Sequence, residues 1–391
     1  MAARQRLAIA AKGFRPFFLL AAVFAAAIVP IWILIIQGTL PPAVYFDATT
    51  WHAHEMVFGF AVAVIAGFLL TAVGNWTKRE TLVGAPLLGL AALWIAGRLV
   101  VLLAPVVPRP IVAVVDLAFL PALGVALARP LFATKNRRNY VMLVLVGALF
   151  AADLFAHLGA LDVMPLGTSR RACWVGIDLV VVMMLVVSAR VVPMFTRNAT
   201  SAKTIRSFPA LDVAAPVAAG ALAVCDVFFW QSAAAAIVAA LGAVLTVARA
   251  SRWGALASLR NPLLWILHAG HAWIAIGLGL RALSFVWPAA YASLAVHALT
   301  VGAIGSLTLG MMARVSLGHT GRELGAGKLV TLAFVLVTVA AIVRAIVPIF
   351  APAKLMGSLE IAASLWSVAF ALYLVVYVPI LAAPRVDGKA G

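Results

Sequence analysis

The stretch Trp51-His52-Ala53-His54-Glu55-Met56 stands at the head of an apolar run from Val57 to Val73. Two imidazoles and a carboxylate lie within one turn of chain. The run behind them is long enough to enter a bilayer, where ionisable side chains are costly and usually mark function. Working outward, apolar runs of about 20 residues recur along the whole chain, each able to cross about 30 Å of hydrocarbon. Of the 391 residues, 65% are hydrophobic and only 10% charged, against about 25% charged in soluble domains. Mean hydropathy is +1.12. These values describe an all-α, polytopic transmembrane helical bundle. A β-barrel would instead show alternating segments of about 10 residues, which are absent.

Hydropathy and the Pro and Gly breakers at its edges define about twelve spans. The first six are expected near Pro16–Gln37, Trp51–Val73, Gly84–Ala104, Pro110–Ala128, Tyr140–Gly159 and Cys173–Phe195. The second six are expected near Ala210–Trp230, Ser232–Arg249, Pro262–Ser284, Tyr291–Ala313, Leu329–Phe350 and Ser358–Ala382. The first apolar run lacks a clear small-residue cleavage site and is taken as a span, not a cleaved signal. Lys and Arg gather in alternate loops, so both termini are expected in the cytoplasm by the positive-inside rule. The same placement explains the net charge of +17 without nucleic acid, for which no motif is present. Cys173 and Cys225 sit far apart on apolar runs and suggest no disulfide framework. No linker or sharp internal repeat is evident, and a single domain over residues 1–391 is expected.

This topology puts most of the intramembrane polar groups in the outer half of the bilayer. His52, His54 and Glu55 open the second span, and Asp116, Asp153, His157, Asp178, Asp226 and His297 lie near outer span ends. Arg98, Arg281 and Arg344 fall in outer halves, with His268 and His271 deeper. Such groups face a bundle interior and pair with one another, or they snorkel to the interface; snorkelling is the simpler expectation for Asp116 and His157. Residues two apart on a helix point roughly 200° apart. His52 and His54 therefore either flank an irregular turn or serve two centres. The candidate metal ligands are His52, His54, His268 and His297, with Glu55 as the carboxylate partner of a ligating imidazole. Imidazoles without cysteines favour copper, iron or zinc over an iron–sulfur cluster. Arg98 or Arg281 could serve haem propionates. At the cytoplasmic end, Arg314-Val-Ser-Leu-Gly318-His319-Thr320-Gly321-Arg322 reads either as a capped helix end or as an anion site built on Arg314 and Arg322.

Taken together these motifs resemble the NnrS family of bacterial haem- and copper-containing membrane proteins. The resemblance rests on Gly13-Phe14-Arg15-Pro16-Phe17-Phe18, Trp51–Met56, and Ala66–Val73 running into Asn75-Trp76-Thr77. It continues through Arg190–Thr196, Leu267-His268 with Trp273, His297–Gly305 and Arg314–Arg322. Gly74 stands where many members carry proline. The resemblance implies a multi-pass protein of the bacterial inner membrane that carries haem b and copper, takes nitric oxide as its ligand, and protects denitrifying or host-challenged cells from nitrosative stress. His52, His54, His268, His297 and His319 match the family pattern, whereas His157 and His271 do not clearly do so. Arg15, Arg98, Arg314 and Arg322 are expected to assist cofactor binding, and Trp51 and Asn75 to support the ligands. A proton- or metal-coupled secondary transporter is the alternative, since a twelve-span protein with Asp and His inside its spans suits a relay.

Overall fold

In the computed structural model the described residues are 7–41, 44–200, 205–287 and 291–389. Among them every regular element is helical, and twelve helices are long and apolar enough to cross a membrane. The chain is a multi-pass membrane protein in a lipid environment. The spans are α1 Phe14–Ile36, α2 Ala48–Thr77, α3 Ala85–Leu102, α4 Arg109–Ala133, α5 Arg137–Ala160 and α6 Thr168–Ala199. They continue with α7 Pro209–Phe228, α8 Ala233–Ala250, α9 Pro262–Leu283, α10 Ala292–His319, α11 Lys328–Phe350 and α12 Pro352–Ala382. The chain divides into two compact units. The first holds Met1–Gly176, Arg314–Glu323 and Leu374–Gly391; the second holds Ile177–Ala313 and Leu324–Tyr373.

The twelve expected spans are all present, and the boundary differences have local causes. Helix α2 starts at Ala48 rather than Trp51 because Asp47 caps it. Asp47 Oδ1 accepts from the backbone N–H of Thr49 and of Thr50, each at 3.1 Å, and Oδ2 from the Thr50 hydroxyl at 2.5 Å. A hydropathy count passes over so polar a start. Helix α6 runs for 32 residues, about 48 Å at 1.5 Å per residue, longer than a hydrocarbon core.

Helices α2 and α10 share a rare feature. In each, the α-helical pattern loosens into a π-helix, at Glu55–Ala61 and at Ala298–Gly305, directly after His54 and His297. The parallel extends through a constant sequence offset. It pairs Gly59 with Gly302, Gly67 with Gly310, Thr77 with Thr320, and Arg79-Glu80 with Arg322-Glu323. Thr77 and Thr320 each donate their hydroxyl to the carbonyl four residues back, both at 2.7 Å. Each is followed by a left-handed residue, Lys78 at φ 54° and Gly321 at φ 75°. At the same offset Gly84 and Gly327 cap α3 and α11.

The packing repeats as well. A Cβ on Gly59 would lie 2.7 Å from Phe24 of α1, and one on Gly302 would lie 2.5 Å from Trp273 of α9. Gly67 likewise meets Phe18, and Gly310 meets Ile266. In α4 the buried Phe119, Leu120, Leu123 and Leu127 correspond in register to the buried Ala362, Ala363, Trp366 and Phe370 of α12. Thus α1–α4 recur as α9–α12. Substitution at the apolar positions hides the repeat from sequence inspection, because lipid-facing and core residues interchange freely. What persists is small residues at close contacts and the helix-end chemistry.

The Asp47 cap yields a pH-dependent expectation. Burial pushes its carboxyl up, but hydrogen bonds from Thr50 and Thr49 and the charge of Arg170 outweigh that and hold it below the usual aspartate value. A carboxyl depressed by folding stabilises above its unfolded pKa, and the contribution is lost as pH falls through the folded value. Asp47→Ala should cost about 1 kcal/mol near neutral pH. Thermal unfolding in detergent should show the difference from wild type closing in acid.

Candidate functional site

The first unit gathers its buried polar groups at one place. Helix α2 supplies His54 and Glu55, α3 Arg98, α4 Asp116, and α5 Asp153 with His157 one turn later. Tyr45 comes from the loop before α2. All seven are buried. Three local features allow the approach. The π-turn begins at Glu55, immediately after His54, and π-bulges are found mostly at functional sites. Asp153 and His157 are four apart, so they share a helix face. Gly97 lacks the Cβ that would otherwise lie 2.5 Å from Asp116 Oδ1.

Arg98 is the hub of the ion pairs. Its Nη1 donates to Glu55 Oε1 at 2.6 Å, and its Nη2 donates to Asp116 Oδ1. Both imidazoles then point inward at the two aspartates. His54 Nε2 is 3.0 Å from Asp153 Oδ1 and 3.5 Å from Asp116 Oδ2. His157 Nε2 is 3.2 Å from Asp116 Oδ2 and 3.7 Å from Asp153 Oδ1. Their outer nitrogens are held too: His54 Nδ1 by Glu55 Oε1 at 3.0 Å, and His157 Nδ1 by the Tyr45 hydroxyl at 2.8 Å. Burial first, then the charges of Asp116 and Asp153, pushes the Tyr45 phenol above its ordinary range, so it stays protonated.

Four potential ligand atoms, one each from His54, Asp116, Asp153 and His157, lie within 4.8 Å of one another. Tetrahedral coordination at about 2.0–2.1 Å requires ligand-to-ligand edges of about 3.3–3.4 Å. The cross-distances of 3.0, 3.5, 3.2 and 3.7 Å bracket that value. Charge points the same way. Three carboxylates face one guanidinium, and with neutral imidazoles two negative charges remain uncompensated in a buried site. One divalent cation, or protons on the cluster, would balance them.

The other expected site residues lie elsewhere. His52 stacks on Trp32 of α1, ring centroids 4.1 Å apart, pointing away from His54 as regular helix geometry over Ala48–His54 requires. Trp51 is buried on the same turn, and Asn75 is half-buried near the end of α2. In the second unit His268 Nε2 meets the Thr196 hydroxyl at 2.9 Å, and His271 Nδ1 lies 3.4 Å from Ser188 Oγ. His297 donates from Nδ1 to the Ser293 carbonyl at 2.6 Å. Back in the first unit, Arg15 is fully buried and donates to the carbonyls of Leu381 and Ala383, each at 2.7 Å. Arg314 is buried, Arg322 half-buried, and the His319 ring lies 5.6 Å from Phe14. Arg385 donates to the His319 carbonyl at 2.8 Å and grips Asp387 at 2.8 and 2.6 Å, holding that exposed carboxyl down at about 2.

Of the expected site residues, His54, Glu55 and Arg98 come together, but Arg98, expected beside a haem propionate, pairs instead with Glu55 and Asp116. Asp116, Asp153 and His157 were recognised as intramembrane polar groups but not as members of the site. The available signal was the four-residue spacing of Asp153 and His157, an apolar span with an acid and an imidazole on one face.

The sequence profile of the family described as NnrS protein matches residues 8–385. The chain belongs to the NnrS family. No curated protein matches it. NnrS membership supports a membrane protein of the nitric oxide response, and the buried His54–Asp116–Asp153–His157 group is able to hold a metal. In this NnrS chain Arg98 is the one guanidinium among three carboxylates of the cluster. Its removal should therefore destabilise strongly, since breaking a buried ion pair costs about 3–5 kcal/mol. Arg98→Leu should lower the unfolding midpoint in detergent far more than Arg109→Leu, which removes an exposed pair with Asp162.

Proposed function

We propose that this NnrS protein resides in the bacterial inner membrane, with both termini cytoplasmic, and protects the cell from nitric oxide by means of bound copper and haem b. The observation that carries the copper assignment is the geometry and surplus charge of the His54–Asp116–Asp153–His157 group. Two imidazoles and two carboxylates suit a divalent transition ion, and among the first-row ions copper(II) binds such sets most tightly. Glu55 and Tyr45 would hold the outer imidazole nitrogens and fix which nitrogen faces the ion. Arg98 would keep Asp116 oriented.

For haem, His297 fits best. Its Nδ1 donates to the Ser293 carbonyl, a contact of the kind that fixes the tautomer of a ligating imidazole. Arg344 reinforces the choice. It is buried, it donates from Nη2 to Ser293 Oγ at 3.3 Å, and Nη1 has no hydrogen-bond partner among the described residues. Nor is any carboxylate paired with it among them. A buried guanidinium without an anion is costly, and a haem propionate supplies one. When bound, the two groups would offer metal centres to which a diatomic such as nitric oxide can coordinate. The protein's part is to hold the imidazoles in one tautomer, balance the charge and exclude water.

This proposal groups the histidines differently from the sequence expectation, which placed His52, His54, His268 and His297 together as ligands. The two are distinguishable by metal analysis and the optical spectrum of the purified protein. His54→Ala, Asp116→Asn and His157→Ala should lose copper while keeping the haem Soret band. His297→Ala should lose haem while keeping copper. His52→Ala and His268→Ala should keep both. Loss of copper in His52→Ala with retention in His157→Ala would overturn the grouping. Tyr45→Phe and Glu55→Gln should weaken copper binding by about 10–100-fold. Affinity should fall in acid, where protons compete for the same nitrogens.

A further inference from the structure

In the second unit a different acidic group surrounds an arginine. Arg281 of α9 donates from Nη1 to Asp178 Oδ1 of α6 at 2.9 Å and from Nη2 to Asp226 Oδ2 of α7. Asp178 is 2% and Asp226 0% exposed. The guanidinium thus holds two buried carboxyls on the two arms of one fork. Each has one satisfied oxygen. The others, Asp178 Oδ2 and Asp226 Oδ1, are buried with no hydrogen-bond partner among the described residues. Among the described residues, Asp178 pairs with Arg281 of α9, which also carries Asp226 of α7.

Two carboxylates against one guanidinium leave one negative charge over, in surroundings that penalise it. In the first unit the same fork, Arg98 between Glu55 and Asp116, has two imidazoles and a third carboxylate beside it and so offers a transition metal a full ligand set. Here the described residues supply only oxygen, and only two oxygens are unsatisfied. Hard cations take about six or more oxygen ligands, so a cation is a poor fit. A proton meets both needs at once. Added to one carboxyl, it removes the surplus charge and makes an O–H of an oxygen that otherwise lies buried without a partner.

We propose that Asp178 and Asp226, held by Arg281, form a proton-binding site that carries one shared proton at neutral pH. Binding makes one O–H bond, with the proton taken from water. Release breaks that bond and leaves Arg281 between two carboxylates. Asp226 lies two residues before the end of α7, and Arg281 two before the end of α9. Both therefore lie within one helical turn of the ends of α7 and α9. This inference is independent of the metal and haem assignments.

The test is infrared spectroscopy of the full-length protein in detergent, titrated from about pH 5 to 9, the range flanking neutrality, in light and heavy water. Wild type should show a protonated-carboxyl stretch at neutral pH that shifts on deuteration and fades in alkali. That band should be missing from both Asp178→Asn and Asp226→Asn, because either substitution neutralises the pair. The amide is close to isosteric and removes the surplus charge, so both variants should fold at least as stably as wild type. A wild type with no such band at neutral pH would overturn the proposal, and this outcome needs no variant. Persistence of the band in both Asn variants would overturn it too, as would its displacement by sodium at constant pH.

Discussion

Charge neutrality inside a bilayer is the constraint to which most of this structure answers. With little water to solvate an unbalanced ion, a buried guanidinium is best satisfied by anions or carbonyls and a buried carboxylate by cations or protons. Arg98 and Arg281 meet the requirement in the same way, each with a carboxylate on both arms of its fork. The fork fixes the helices. Arg98 ties α3 to α2 and α4, and Arg281 ties α9 to α6 and α7. Without such pairs apolar helices in lipid have little to set their rotation, because lipid tails and leucine side chains are equally apolar. The ion pairs thus do for orientation what the hydrophobic effect does in a soluble core.

The neighbours decide what each fork becomes. Beside Arg98 the α5 face adds Asp153 and His157, and α2 adds His54. Beside Arg281 only oxygen is added among the described residues. The first group is able to hold a metal and the second, on our proposal, a proton, although both start from one arginine and two acids. Arg344 is the complementary case, a buried cation with no carboxylate partner among the described residues. Read together, the three arginines describe what kind of ligand each region lacks.

Much of this was legible in the sequence. Hydropathy gave the spans because span length follows from bilayer thickness, and the divergence of His52 from His54 followed from helix angle alone. The start of α2 did not follow, since it depends on Asp47 reaching back to two amides. Nor did the membership of Asp116 and His157, which as single residues near span ends look like side chains snorkelling to the interface. Only tertiary packing, aided by the missing Cβ of Gly97, shows that they converge. The repeat was hidden for a related reason. Its fixed points are glycines at helix contacts and a threonine at a helix end, and these are few among many interchangeable apolar residues.

The repeat also sets two imidazoles at matching positions in different surroundings. His54 and His297 occupy matching positions, each immediately ahead of a π-turn, on spans that pack through matching glycines. Their surroundings have diverged. His54 has both nitrogens facing carboxylates. His297 has its Nδ1 on a backbone carbonyl, with a buried arginine one turn away at Ser293. A π-turn widens the helix and leaves backbone groups out of the usual ladder, a local cost that persists only where the surrounding structure holds it. That both copies retain it, while the side chains around the imidazole differ so completely, argues that the shared task is to present an imidazole at a fixed angle. The acid, arginine or carbonyl beside it then sets what that imidazole can bind.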